Sequence, residues 1–270
     1  MAPLGIIAGK GLYPELLLEE ARAAGESRIC MAAFEGETDP ALAARADVCA
    51  WMRVGQLGRL LDFFKQEGVE RAVMAGQITP GRLFDLRPDF KALWLLARLK
   101  ERNAETLFGA VAGALAGVGV ELLPATTHLE RYLAPAGHVA GPKPHRRLRE
   151  EIAFGWPKLK KVAAMDIGQC LLVHRGTVLA VEGYDGTNAT IRRGGALAAG
   201  ATLLKVSKPG QDMRFDVPVI GPDTVRVAAE SRLGAIVVEA GKTLMLGLDE
   251  IESLAQKEHV TIFAVDTEGA

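Results

Sequence analysis

The sequence predicts an α/β protein of two domains, a Rossmann-like parallel sheet first and a mixed sheet second. Three observations carry that prediction. Strand-length apolar runs alternate with helix-length amphipathic segments across glycine turns, the pattern of crossover-connected sheets. The chain has 270 residues and is 49% hydrophobic, enough for two modest cores. Between Leu133 and Pro144 the alternation stops, and that stretch holds three prolines and two glycines. It reads as a linker over 135–144 between domains 1–134 and 145–270.

Leu4–Ala8 is a buried first strand. Gly9-Lys10-Gly11 makes a turn, and Pro14 suits the first turn of a helix that runs to about Ala24. Such a unit turns a helix N-terminus toward an anion, so Gly9, Lys10 and Gly11 are candidate ligand contacts. The full dinucleotide fingerprint is absent: Pro14 occupies the third glycine position, although Glu35, after the run Ile29–Phe34, could pass for the ribose acid. An NAD-dependent oxidoreductase therefore stays open as a second reading.

Strands near Val48–Met52 and Ala72–Ala75 flank a helix near Leu57–Gln66. Gly76–Pro88 is then a loop at a strand's C-terminal end, where open α/β sheets bind ligands. Its candidate contacts are Gln77, Arg82 and Arg87. Over Asp89–Lys100 the helical period puts Phe90, Leu93, Trp94 and Ala97 on one face and Lys91, Arg98 and Arg102 on another. A core or dimer helix fits that pattern, and so does a helix at a membrane surface. Another helix starts at Asn103-Ala104-Glu105 and ends near Ala116.

In the second half, a helix runs from His145–Glu150 to about Ala164. Cys170–Val173 and Val178–Val181 make a hairpin, and Glu182–Asn188 is a polar turn before a small-residue helix. Ala201–Val206 and Phe215–Ile220 are strands, with a helix entered at Pro222. Strands Ala235–Glu239 and Thr243–Leu246, a helix from Asp249 to about Lys257 and a strand Val260–Ala264 complete the reading.

A net charge of −1 argues against nucleic acid as a partner. Cys30, Cys49 and Cys170 are scattered and odd in number, which suits reduced thiols. The five histidines lack zinc-site spacing. No secretory signal opens the chain, and the run Phe108–Val120 is shorter than the ~20 residues of a spanning helix.

Chemistry concentrates in Lys205–Glu230. Between Lys205 and Asp223 stand two lysines, one arginine and three aspartates. Charges at strand ends beside a core are either paired with each other or placed for a ligand. Asp212, Asp216 and Asp223 are candidate acids, and Asp166, Glu182 and Asp185 could join them in space. Lys205, Lys208, Arg214, Arg192 and Arg193 could hold phosphates; Gln169, Gln211 and Thr187 could orient water or sugar hydroxyls. This inventory suits metal-assisted phosphoryl chemistry. Spacing alone does not select the metal ligands, and a structural ion-pair cluster fits the same residues.

The string KPGQDMRFDVPVIGP over 208–222 also resembles the hallmark of the LpxI-type UDP-2,3-diacylglucosamine pyrophosphatases of lipid A biosynthesis. Asp166-Ile167-Gly168-Gln169, the segment Val181–Asn188 and the opening Gly5–Pro14 agree with it. The resemblance implies Mg2+-dependent hydrolysis of UDP-2,3-diacylglucosamine to UMP and 2,3-diacylglucosamine 1-phosphate, with water directed at the β-phosphate. It implies a homodimer in the cytoplasm of a Gram-negative bacterium, with peripheral inner-membrane contact compatible, and a cleft between the domains. Positions matching the family are Asp166, Gln169, Glu182, Gly186, Thr187, Lys208, Gln211, Asp212, Arg214 and Asp216. With Asp223 of the central stretch added to these, the expected catalytic set is Asp216, Asp212, Asp223 and Gln211; the expected Mg2+ set is Asp216, Asp212, Asp166 and Glu182. Asn188 replaces the family's usual Asp, Asp185 its usual Glu, and Asn103-Ala104-Glu105 stands where Gly-Asp-Asp is frequent. A lipid or nucleotide-sugar binding protein without catalysis is the third reading.

Overall fold

The computed structural model describes residues 2–79, 88–99 and 104–266. Two compact units emerge: residues 1–130 with 212–216, and residues 131–211 with 217–270.

In the first unit the strands are β1 (Leu4–Ala8), β2 (Ile29–Phe34), β3 (Val48–Met52), β4 (Arg71–Ala75) and β5 (Glu121–Leu122). The helices are α1 (Leu12–Ala23), α2 (Pro40–Ala43), α3 (Leu57–Gln66), α4 (Phe90–Arg98) and α5 (Ala104–Ala116). The sheet order is β3-β2-β1-β4-β5, with every pairing parallel. The chain thus moves outward from β1 to β3, then restarts on the other side at β4. That reversal puts a topological switch point between β1 and β4, where doubly wound sheets open a ligand crevice. The central strand is apolar throughout because both its faces are covered. Asp89 closes the start of α4: its carboxylate accepts Ala92 N–H at 2.9 Å and Gly58 N–H at 2.6 Å.

In the second unit the strands are β6 (Gly137–Ala140), β7 (Cys170–His174), β8 (Thr177–Val181), β9 (Thr202–Lys205), β10 (Val219–Ile220), β11 (Ala235–Glu239), β12 (Leu244–Met245) and β13 (Thr261–Val265). Its helices are α6 (Arg146–Ala164), α7 (Gly186–Gly195), α8 (Pro222–Glu230) and α9 (Leu248–Lys257). The main sheet is mixed, in the order β6-β13-β11-β9-β7-β8. Strands β9, β11 and β13 are mutually parallel, and β6 and β7 run against them. Because β8 opposes β7, it points the same way as β9. Side chains alternate between two cores: Leu203 packs on one face and Leu204 on the other, Leu172 on one and Leu171 on the other. Helix α6 approaches the second face closely at Gly155, where an added Cβ would lie 2.4 Å from a Leu204 methyl.

The structure differs from the sequence reading at three places. Gly137–Ala140, expected within a linker, is the edge strand β6 on β13; its prolines flank the ladder instead of interrupting it. The strand expected over Phe215–Ile220 shrinks to Val219–Ile220, because Phe215 N–H and Asp216 N–H both bond back to the Asp212 carbonyl in a tight turn. Pro218, which has no N–H, precedes the short strand. The polar turn expected over 182–188 ends early, since α7 starts at Gly186. Arg82, Arg87, Lys100, Arg102 and Asn103 lie outside the described residues. No helix among the described residues is long and apolar enough to cross a membrane.

Candidate active site

The parallel strands of the second sheet deliver a polar cluster to their C-terminal edge, where α/β sheets bind ligands. Glu182 follows β8, Lys205 ends β9, and Gln169 precedes the antiparallel β7, which brings it to the same edge. The Glu182 carboxylate accepts Gln169 N–H at 2.8 Å through one oxygen and the Thr187 hydroxyl at 2.8 Å through the other. Lys205 Nζ donates to Thr187 Oγ1 at 2.9 Å. Thr187 sits in the first turn of α7, so the helix start joins the cluster.

A second group adjoins through Gln211, whose Nε2 approaches Gln169 Oε1 at 3.4 Å. Its own Oε1 accepts Lys208 N–H at 2.7 Å, folding the Lys208–Gln211 turn on itself. Lys208 Nζ donates to Asp166 at 3.0 Å. The lysine side chain is 11% exposed and the aspartate 61%, so the pair presents its acid to solvent. Asp166 has φ 55°, the left-handed conformation that closes a helix C-terminus, here α6. Asp and Asn adopt it more readily than most side chains.

Beneath this edge lies Glu239, the last residue of β11, fully buried. Its carboxylate accepts Lys160 Nζ at 3.0 and 2.9 Å, Lys242 Nζ at 2.8 Å, Ser207 N–H at 2.9 Å and Ser207 Oγ at 2.7 Å. Burial alone would push its carboxyl up. The hydrogen bonds from Lys242, Lys160 and Ser207 outweigh that and hold it at about 2. The Cys170 thiol, beside Glu182 at the start of β7, is pushed up by burial and by Glu182, which leaves it protonated and inert.

Asp212–Asp216 belongs to the first unit. Met213 C=O accepts Ala125 N–H at 2.8 Å, and the Tyr13 hydroxyl donates to Ala125 C=O. Phe215 packs against the first unit's core, its ring 5.8 Å from that of Phe108. Arg214 grips both oxygens of Asp212, Nη2 at 2.6 Å and Nε at 2.9 and 3.2 Å. That guanidinium holds the Asp212 carboxyl below the usual carboxylate range, which makes Asp212 a weak proton acceptor and suits it to orienting Arg214. The side-chain direction inferred for Asp216 from strand alternation no longer applies, because the segment is a turn.

At the first unit's switch point, Gly9, Lys10 and Gln77 come together through an antiparallel bridge, with N–H···O distances of 2.8 and 3.1 Å between Lys10 and Gln77. A Cβ on Gly9 would stand 2.5 Å from the Gln77 carbonyl oxygen. This glycine serves a backbone-to-backbone approach. Gly11, with φ 95° and open space around its Cα, caps α1. Lys10 Nζ reaches Thr79 Oγ1 at 2.9 Å.

Two expected residues stand apart in their contacts. Asp223 is 86% exposed in the first turn of α8 and pairs with Arg226 at 2.5 Å. Arg192 is exposed on α7. The four carboxylates expected for Mg2+ do not gather into a cage: among the described residues no group of three or more His, Cys, Asp or Glu side chains is arranged to hold a metal ion. The sequence reading missed Glu239 and Lys160 altogether. Glu239 closes an apolar strand and Lys160 lies on a helix 79 residues away, so only the fold joins them.

A two-domain α/β protein with lysines, carboxylates and amides at a sheet's C-terminal edge has the makings of a site for a phosphorylated ligand. Residues 3–132 match the model of the LpxI N-terminal domain, and residues 135–263 that of the LpxI C-terminal domain. The chain belongs to the LpxI family. It is 29% identical over 280 residues to UDP-2,3-diacylglucosamine pyrophosphatase LpxI of Caulobacter vibrioides, covering 98% of each protein. Among solved structures, the crystal structure of gox2253 is 10% identical, with 100% of this chain and 91% of that one covered, at a TM-score of 0.33, which does not establish a shared fold.

Proposed function

We propose that this protein hydrolyses the diphosphate of UDP-2,3-diacylglucosamine, giving UMP and 2,3-diacylglucosamine 1-phosphate in lipid A biosynthesis. The observation that carries the reading is the edge cluster of the second unit. Its members Asp166, Gln169, Glu182, Thr187, Lys208 and Gln211 are six of the ten positions at which the chain resembles the family pattern.

The reaction needs charge compensation on non-bridging oxygens, a placed water and a stabilised leaving phosphate. Lys208 and Lys205 supply cations, and Arg214, squared by Asp212, supplies a planar fork for phosphate. Thr187, Gln169 and Gln211 offer hydroxyl and amide groups for sugar or water. Asp216 is proposed to orient the attacking water. In this reading water adds to the β-phosphorus, the bond from that phosphorus to the bridging oxygen breaks, and the bridging oxygen leaves with UMP.

Mg2+ remains part of the proposal. It commonly takes one or two carboxylates and draws its other ligands from substrate phosphates and water, so a preformed cage is not required. Its ligands would come from Asp166, Glu182, Asp212 and Asp216, and when bound it neutralises phosphate charge. A cytoplasmic homodimer acting on lipid at the membrane surface completes the reading.

The test is UMP release from UDP-2,3-diacylglucosamine by the purified protein, with and without EDTA. Release that stops with EDTA and returns with Mg2+ supports the reading. Binding of the nucleotide sugar without UMP release would make the protein a carrier, and a rise in melting temperature with NAD alone would favour a dehydrogenase.

A further inference from the structure

We propose that Glu239 is a positioning residue for this hydrolysis: from beneath the sheet edge it fixes Ser207 and so sets where Lys208 presents its charge to a phosphate. The inference rests on the hydrolase reading given above.

The register explains the arrangement. Val237 of β11 pairs with Leu204 of β9, so Glu239 lies level with the point where the chain leaves β9. Val206 N–H still bonds across the sheet, to Gln169 C=O at 2.9 Å. At Ser207 that ladder stops. Its N–H and hydroxyl both turn to one oxygen of Glu239, at 2.9 and 2.7 Å. Its carbonyl accepts Lys160 Nζ at 3.2 Å, while the same ammonium spans both Glu239 oxygens. Every polar group of Ser207 is therefore held by one ion pair, whose carboxylate is fully buried.

The next residue is Lys208. Its N–H is held by the Gln211 side chain and its ammonium lies on Asp166. Gln211 in turn reaches Gln169, which Glu182 holds. The turn is thus anchored at its root by Glu239 and at its far end by the edge cluster. Burying charges is costly, and apolar side chains of similar volume would close a strand end as well or better. They could not grip the N–H, O–H and C=O of a single residue. Lys242 touches Glu239 from the far side and has no hydrogen bond to the turn, which makes it a control for the stability of the ion pair alone.

The experiment measures kcat and KM for UMP release, together with melting temperature, for wild type, Ser207→Ala, Ser207→Thr, Lys242→Met and Glu239→Gln. Ser207→Ala is expected to lower kcat/KM at least roughly tenfold, as misplacement of a binding group does, with Tm falling by no more than about 4 °C. Ser207→Thr keeps the hydroxyl and should restore most of the activity. Lys242→Met should lower Tm yet keep kcat/KM within about threefold of wild type, a small change on the scale of positioning effects. Glu239→Gln, if it folds, should lose at least as much as Ser207→Ala. Unchanged kcat/KM in Ser207→Ala beside an active wild type overturns this inference alone. A wild type that releases no UMP overturns the hydrolase reading and this inference with it.

Discussion

Replacing Glu239 by Gln should change how the second unit's stability depends on pH, by an amount that follows from its surroundings. The carboxyl is held at about 2 against an ordinary 4.5. Its folded-state proton affinity is the lower one, so its stabilisation is complete above the unfolded value and is lost as pH falls through the folded value. At about 1.4 kcal/mol per tenfold in affinity, the contribution near neutrality is about 3 kcal/mol. Roughly 2 kcal/mol of that should be gone by pH 3. Glu239→Gln removes the charge that Lys160 and Lys242 neutralise; because those side chains are 30% and 47% exposed and keep water, the cost near pH 7 should be about 3 kcal/mol, the carboxylate's own contribution. The assay is urea unfolding at pH 7, 5 and 3, followed by the fluorescence of Trp156, which packs in the second unit's core. Trp51→Phe and Trp94→Phe silence the other two tryptophans, both in the first unit. Asp212, also held low, is in the first unit and outside this signal. The gap between wild type and variant should narrow by about 2 kcal/mol from pH 6 to pH 3. A gap that stays constant over that range would refute the assignment of Glu239 as a buried, ionised hub.

Gly9→Ala should destabilise the first unit by about 1–3 kcal/mol, because the new Cβ meets the Gln77 backbone at 2.5 Å and the Lys10–Gln77 bridge must give. Unchanged melting with a raised KM would instead make the turn a ligand surface. Asp216→Asn should leave the protein folded and substrate bound while kcat falls at least ~100-fold. Near-normal UMP release by that variant would remove Asp216 from the chemistry.

Much of the fold was legible because parallel strands buried on both faces are continuous apolar runs. Ile29–Phe34 is such a run; Val48–Met52, half-buried at the sheet's edge, is equally apolar, and the structure ends both where the sequence does. Composition misled at 135–144, since a short edge strand tolerates prolines beside it and glycines within it. Phe215–Ile220 alternates like a strand, but its first residues are held locally by Asp212 and belong to the first unit. No sequence period reveals that the chain returns there. The candidate site was legible as residue types: Lys208, Gln211, Gln169 and Glu182 are joined by the hydrogen bonds described above. Its support was not. Glu239 ends an apolar strand, and its partners Lys160, Ser207 and Lys242 sit 79, 32 and 3 residues away. Asp223 shared the motif's spacing, yet helix α8 carries it to Arg226 at the surface.

The most direct measurement is hydrolysis of UDP-2,3-diacylglucosamine in water enriched in oxygen-18, with both products weighed by mass spectrometry. The account predicts UMP and 2,3-diacylglucosamine 1-phosphate in equal amounts, with the label on the lipid phosphate. Label on UMP would move the attack to the α-phosphorus, and intact substrate after prolonged incubation with Mg2+ would contradict the assignment of this chain as a pyrophosphatase.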